Sequence, residues 1–151
     1  MEPKIFTVLM AEDNEHDIIA TKRAWKKYKI NNPLFIVNDG EDCLDYLNRR
    51  GKYENAALSP RPDLVLLDIN MPRMDGITAL KTIRQDERFK HLPVMMLTTS
   101  KSEEDKMKTF NLNINAYIVK PVGFENFAEA VKNINIFWQM VEHPEFANSF
   151  A

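Results

Sequence analysis

Five short apolar runs, each followed by a stretch with helical spacing, constrain this chain more than any other feature. They are KIFTVLMA (4–11), PLFIV (33–37), DLVLL (63–67), PVMML (93–97) and AYIVK (116–120). Most are continuous rather than alternating, the pattern of strands covered on both faces, as in a parallel sheet. Ile18, Thr21, Trp25 and Tyr28 form a helical stripe after the first run, Cys43, Leu44 and Leu47 after the second, and Ile77, Leu80 and Ile83 after the third. The segment 102–110 after the fourth run is helix-compatible but weakly amphipathic, with Met107 and Phe110 as its anchors. Phe124, Phe127, Val131, Ile134, Trp138 and Val141 make a long stripe after the fifth, predicting a last helix that ends near 142. Alternation repeated in this way predicts an open α/β sheet with right-handed crossovers. The odd connection is GKYENAALSPRP (51–62), against a usual loop length of about 4–6 residues; its two prolines predict no regular structure there.

With 151 residues and no composition break, the chain reads as one domain over 1–142 with a frayed tail at 143–151 and no output domain after it. A net charge of −2 provides no global field to attract nucleic acid or an anionic membrane. The cationic run Lys22, Arg23, Lys26, Lys27, Lys29 interleaves with Ala24, Trp25 and Tyr28, so it reads as the solvated face of a helix. Cys43 stands alone, which excludes an intrachain disulfide and fits a reducing compartment. The stretch 5–11 is too short for a membrane span and is followed by Glu12-Asp13 rather than a cleavage site. A soluble cytoplasmic protein is the plain expectation.

Open α/β sheets hold ligands at the carboxyl ends of their strands, beside a switch in strand order. There this sequence places Glu12 and Asp13 after the first run, Asp68 and Asn70 after the third, Thr98, Thr99 and Ser100 after the fourth, and Lys120-Pro121 at the fifth. If the first and third strands are neighbours, three carboxylates share one crevice and raise one another's pKa. A hard divalent cation such as Mg²⁺ relieves that repulsion. A lysine and a hydroxyl opposite then fit a group with negative oxygens, and a phosphoryl group matches. Each residue alone has an ordinary explanation: Glu12, Asp13 and Asn14 as helix caps, Asp68 as a turn residue, the threonines and Lys120 as strand ends. Those explanations leave unexplained why acids and lysine gather at one end of the sheet. Rival motifs fail on spacing. An EF-hand starting at Asp68 needs Gly at its sixth position and Glu at its twelfth, where this chain has Arg73 and Ala79. No GxxxxGK[ST] stretch occurs, and His16, His91, His143 and Cys43 lack zinc-ligand spacing.

VLMAEDN, PDLVLLDINMPRMDG, VMMLTTS and AYIVKP, in this order and spacing, resemble the receiver domain of bacterial two-component response regulators. The likeness covers nearly the whole chain. More narrowly, the long 51–62 connection and the tryptophan-bearing last helix resemble single-domain regulators paired with cyanobacterial and bacterial phytochrome-type histidine kinases. The resemblance implies a flavodoxin-like (βα)5 three-layer sandwich with a parallel five-stranded sheet in the order 2-1-3-4-5. It makes Asp68 the phosphoacceptor for a phosphoryl group carried by a sensor histidine kinase. Asp13, Asp68 and the backbone carbonyl of Asn70 would ligate Mg²⁺, or Mn²⁺ as a substitute, with Glu12 assisting directly or through water. Lys120, Thr98 and the backbone of Thr99 would bind the phosphoryl group, and Lys120-Pro121 would be a cis peptide. Thr98 and Tyr117 would form the switch, while Asn70 and Ser100 would tune dephosphorylation.

The output implied is a protein contact or an onward phosphorelay, through the α4-β5-α5 face built from 102–110, 116–120 and 124–142. Ile136, Phe137 and Met140 add apolar surface to the last helix beyond its core stripe. Either the fold and tail cover that surface or it is a homodimer face. Met71, Met74, Met95 and Met96 read as core and loop packing. The protein would be a signalling phosphoacceptor rather than an enzyme, with self-phosphorylation from small phosphodonors and autodephosphorylation. Two alternatives compete. A metal-independent pseudo-receiver binding module would lack one of the acids or the lysine, and here all are present. A haloacid-dehalogenase-type phosphatase needs a second Asp two residues after the first, where this chain has Asn70.

Overall fold

In the computed structural model the described residues are 6–98, 102, 108, 111–114, 116–120, 126, 129, 130, 132 and 133. The elements run β1 (Val8–Ala11), α1 (Glu15–Lys27), β2 (Leu34–Val37), α2 (Gly40–Asn48), a 3-10 turn (Gly51–Tyr53), β3 (Leu64–Asp68), α3 (Gly76–Gln85), β4 (Val94–Thr98) and β5 (Ala116–Val119). All strand pairs are parallel, in the order β2-β1-β3-β4-β5. The expected flavodoxin-like α/β sheet is therefore present. The expected helices over 102–110 and 124–142, Thr99, Ser100, Pro121 and the tail fall wholly or mostly outside the described residues, and so do the α4-β5-α5 face and the Lys120–Pro121 peptide.

Side chains alternate along β1 to β4 between two apolar layers, which is why these strands read as unbroken hydrophobic runs. Leu9, Ala11, Val65, Leu67 and Met96 face α2 and α3, packing on Cys43, Leu44, Leu47, Leu80 and Ile83. Val8, Met10, Leu64, Leu66, Met95 and Leu97 face the other way, onto Ala20 and Ala24 of α1. The buried face of α1 is Ala20, Thr21 and Ala24, whereas Ile18, Trp25 and Tyr28 of the expected stripe are only half-buried. Small residues let the helix lie close on the sheet, and Trp25 sits at the margin with its indole N–H donating to the Asn32 carbonyl at 2.7 Å. The cationic run from Lys22 to Lys29 is exposed, as its spacing predicts.

The connection 51–62 departs from expectation. It opens with the 3-10 turn, and Tyr53 lies 5.2 Å from the Tyr46 ring while its hydroxyl donates to the Asp42 carboxylate at 2.9 Å. The Tyr46 hydroxyl donates to the Pro60 carbonyl at 2.8 Å, so aromatic contacts tie both ends of the loop to α2. Among the described residues no helix is long and apolar enough to cross a membrane.

Candidate functional site

The parallel register brings the strand ends level. Ala11 pairs with Leu67, Asp68 with Leu97, and Thr98 with Val119. Glu12 is the first residue beyond β1, and Asp68 is the last of β3. Helix capping falls to Asn14 alone. Its side chain accepts from the Asp17 amide at 3.1 Å, and Glu12 Oε1 in turn accepts from the Asn14 amide at 3.1 Å. After β3 the chain turns sharply, with Asp75 capping α3 by accepting from the Thr78 amide at 2.8 Å. The Gly76 amide donates to the Ile69 carbonyl at 2.9 Å, pressing α3 against the strand end.

Three carboxylates meet there. Oxygens of Glu12, Asp13 and Asp68 lie within 4.8 Å of one another, with Glu12 and Asp68 buried and Asp13 exposed. Lys120 crosses from β5, its Nζ 2.6 Å from Glu12 Oε2, 3.1 Å from Asp17 Oδ2 and 3.2 Å from Asp68 Oδ2. Burial is the main influence raising the Glu12 carboxyl, followed by the charge of Asp68, and Lys120 only partly offsets them; the result is a pKa of about 7. Burial likewise holds Asp68 above the ordinary carboxylate value despite the pull of Lys120. For Lys120, burial acts downward, but hydrogen bonding to Glu12 and the charges of Asp68 and Glu12 outweigh it, so the ammonium stays firmly protonated.

Among the described residues, Asp68 Oδ1 is buried without a hydrogen-bond partner. An orphaned, buried carboxylate oxygen beside two further acids is costly unless something positive or electrophilic approaches it. The donor set is all oxygen and the site opens through the exposed Asp13, which fits a hard divalent cation that keeps part of its water shell.

The remaining expected residues are placed as follows. Thr98 ends β4, is fully buried, and its carbonyl accepts from the Lys120 amide at 2.8 Å. Asn70 is exposed two residues beyond Asp68. Tyr117 lies in β5 in register with Met96. Met95 and Met96 are fully buried and Met71 and Met74 pack against the core, as expected. His16 and His91 are exposed.

Two features were not foreseen. Asp17, in the first turn of α1, reaches Lys120; the available signal was its place three and four residues before Ala20 and Thr21, on the helix face turned to the sheet. The second is a latch between α2 and the β3–α3 turn. Arg73, at φ +61°, donates through Nε to Asp39 Oδ2 at 2.7 Å, and the Gly40 amide donates to the Met74 carbonyl at 2.9 Å. Asp39 and Arg73 are 34 residues apart, and no local pattern links them.

Comparison with known proteins agrees with this geometry. A family model described as the response regulator receiver domain matches residues 8–132. The chain is 36% identical over 136 residues to the response regulator Rcp1 of Synechocystis sp., covering 90% of this chain and 89% of that protein. The structure of the phosphorylated cyanobacterial phytochrome response regulator RcpA matches with a TM-score of 0.78 and 35% identity, over 89% of this chain and 94% of that one. The Mn²⁺-bound form of response regulator Rcp1 matches with a TM-score of 0.77 and 34% identity, over the same 89% and 94%.

Proposed function

Because this chain belongs to the response regulator receiver domain family, we propose that it accepts a phosphoryl group from a sensor histidine kinase onto Asp68. The observation that carries the reading is the Asp68 carboxylate itself. It is buried at a strand end, one oxygen lacks a partner, and Lys120 stands 3.2 Å from the other. In the transfer an Asp68 oxygen forms a bond to phosphorus while the bond from phosphorus to the histidine nitrogen breaks. The nitrogen keeps the electron pair, and Asp68 becomes an acyl phosphate. Lys120 pairs with a phosphoryl oxygen, helped by the Thr98 hydroxyl and the Thr99 backbone. Glu12, Asp13 and Asp68, with the Asn70 backbone carbonyl, would hold the divalent cation, Mg²⁺ with Mn²⁺ as a substitute. When bound, that cation offsets the charge of the transferring phosphoryl oxygens.

Phosphorylation then draws Thr98 towards the new oxygens and Tyr117 inward, changing the α4-β5-α5 face that contacts a partner or a second copy. Asn70 and Ser100 would set the lifetime of the phosphate by tuning its hydrolysis. The likeness to RcpA, whose own designation is phytochrome response regulator, supports a phytochrome-type kinase as donor.

The test is intact-protein mass spectrometry after incubation with Mg²⁺ and acetyl phosphate. A single phosphoryl adduct is expected, absent in Asp68→Asn and absent when EDTA replaces Mg²⁺. A folded wild-type protein that forms no adduct from either acetyl phosphate or phosphorylated kinase would leave the metal-independent binding module as the better reading.

The acids also make stability depend on pH and cation together. Glu12 has a folded pKa near 7 against an ordinary value of 4.5, so between those values the folded state holds more protons than the unfolded one. Stability of the cation-free protein therefore falls as pH rises from about 4.5 to about 7, by on the order of 3 kcal/mol. Mg²⁺ should remove much of this fall. Thermal melts in EDTA and in Mg²⁺ check it: the melting-point gain from Mg²⁺ should be larger at pH 8 than at pH 5. An equal gain at both would sink the account.

A further inference from the structure

We propose that Asp17 is a positioning residue for the transfer, holding the Lys120 ammonium beside Asp68 by a carboxylate that takes no part in binding the divalent cation. The inference rests on the phosphoacceptor reading above. An ammonium has three N–H donors, and Lys120 meets three carboxylates, those of Glu12, Asp17 and Asp68. Two of the three belong to the cluster that faces the cation. Asp17 does not, since the grouped oxygens are those of Glu12, Asp13 and Asp68. A cation that draws on Glu12 and Asp68 competes with the ammonium for both. A phosphoryl group on Asp68 then changes the Asp68 contact again. Asp17 is the partner that stays the same throughout.

Its placement suits that duty. Asp17 lies in the first turn of α1, where its amide is bound by the Asn14 side chain at 3.1 Å. Its carbonyl accepts from the buried Thr21 hydroxyl at 2.7 Å. The backbone carrying the carboxylate is thus fixed at both polar groups, whereas the lysine stem is flexible and needs an anchor. Lys120 is fixed at its own backbone by the Thr98 carbonyl, so the pair ties the end of β5 to α1. Asp17 does not draw the ammonium off the site: Nζ touches Asp17 at 3.1 Å and Asp68 at 3.2 Å at once.

The experiment compares wild type with Asp17→Asn, Asp17→Ala and Asp17→Glu, and places Asp17→Ala in a Lys120→Gln background. Adduct formation is followed by intact mass at saturating Mg²⁺ and varied acetyl phosphate, with Mg²⁺ affinity measured by calorimetry. The Lys120 Nζ resonance is observed in ¹⁵N-lysine protein with Mg²⁺ bound, assigned by its loss in Lys120→Gln. Asp17→Asn and Asp17→Ala should slow the maximal rate by about tenfold, the scale expected when a catalytic group loses its placement. Mg²⁺ affinity should change by less than about twofold, because Asp17 is outside the cation cluster. Asp17→Glu should recover part of the rate, and Asp17→Ala should add nothing in the Lys120→Gln background. The Lys120 Nζ signal, protected in wild type, should be lost to solvent exchange in Asp17→Asn. A rate that is unchanged or raised in Asp17→Ala overturns the proposal. So does a full loss persisting in Lys120→Gln, or a parallel loss of Mg²⁺ affinity. If wild type forms no adduct from either acetyl phosphate or phosphorylated kinase, yet its Nζ signal is protected and lost in Asp17→Asn, the anchoring stands and the phosphoacceptor reading falls.

Discussion

Lys120→Met is expected to destabilise the cation-free protein by about 3–5 kcal/mol at pH 7.5, the cost of leaving buried charge without its partner. Methionine preserves the unbranched apolar stem, so the loss reports mainly on the ammonium. That ammonium lies within 3.2 Å of both Glu12 and Asp68, whose side chains are almost fully buried. Removing it leaves three acids facing one another, and each additional ionisation becomes harder. The sign with pH follows. The lysine attracts ionised carboxylates and does little for neutral ones, so the gap between wild type and variant should shrink as pH falls through the raised folded-state carboxyl range, about 7 for Glu12. Mg²⁺ should also narrow it, because a bound cation supplies the missing positive charge. Urea denaturation with and without EDTA, at pH 5 and pH 7.5, measures all of this. A loss below about 1 kcal/mol that is the same at both pH values would mean the acids are not charged in the folded protein, contrary to the arrangement described.

The lysine and the acids come from runs far apart in the chain, yet their meeting was legible because strand and carboxyl end could both be read locally. Leu64 to Leu67 are buried between two helical layers, so any charge directly after them must sit at the sheet's edge, and Asp68 does. The same holds for Glu12 after Ala11, and Lys120 directly follows β5. What could not be read depends on which face a helix turns and how closely it packs. Large residues marked the stripe of α1, but the contact with the sheet is made by Ala20 and Ala24, and this rotation is what brings Asp17 over Lys120. The tie of Asp39 to Arg73 required knowing that α2 and the β3–α3 turn lie side by side, and the ordered 51–62 loop required the meeting of Tyr46 and Tyr53. Pairings of this kind are properties of packing, and no period or motif announces them.

Gly76→Ala should be the most damaging substitution among the three described glycines, costing about 3 kcal/mol or more and displacing the strand end that carries Asp68. Gly76 opens α3 where the helix comes down on β3. A Cβ there would stand 2.1 Å from the Asp68 carbonyl oxygen, 2.9 Å from its carbon and 3.0 Å from Ile69 Cα. All three are backbone atoms, so no side chain can rotate away, and either α3 or the end of β3 must move. The Gly76 amide is also bound to the Ile69 carbonyl at 2.9 Å, so a shift of α3 strains that bond as well. Gly40→Ala meets the Met74 carbonyl oxygen at 2.5 Å and should be damaging too, though its near contacts are in the neighbouring turn rather than the strand. Gly51 is the control. It has φ +58° and nothing within 4 Å of where a Cβ would stand, so Gly51→Ala should cost only the left-handed strain, about 1 kcal/mol. Urea midpoints at constant slope rank the three for stability. Acetyl phosphate labelling of Gly76→Ala, under conditions where it remains folded, should be slower than in Gly51→Ala, because the displaced backbone is that of the nucleophile itself. Equal stability of Gly76→Ala and Gly51→Ala would show that α3 does not press on the end of β3, and with it would go the account of how Asp68 is held.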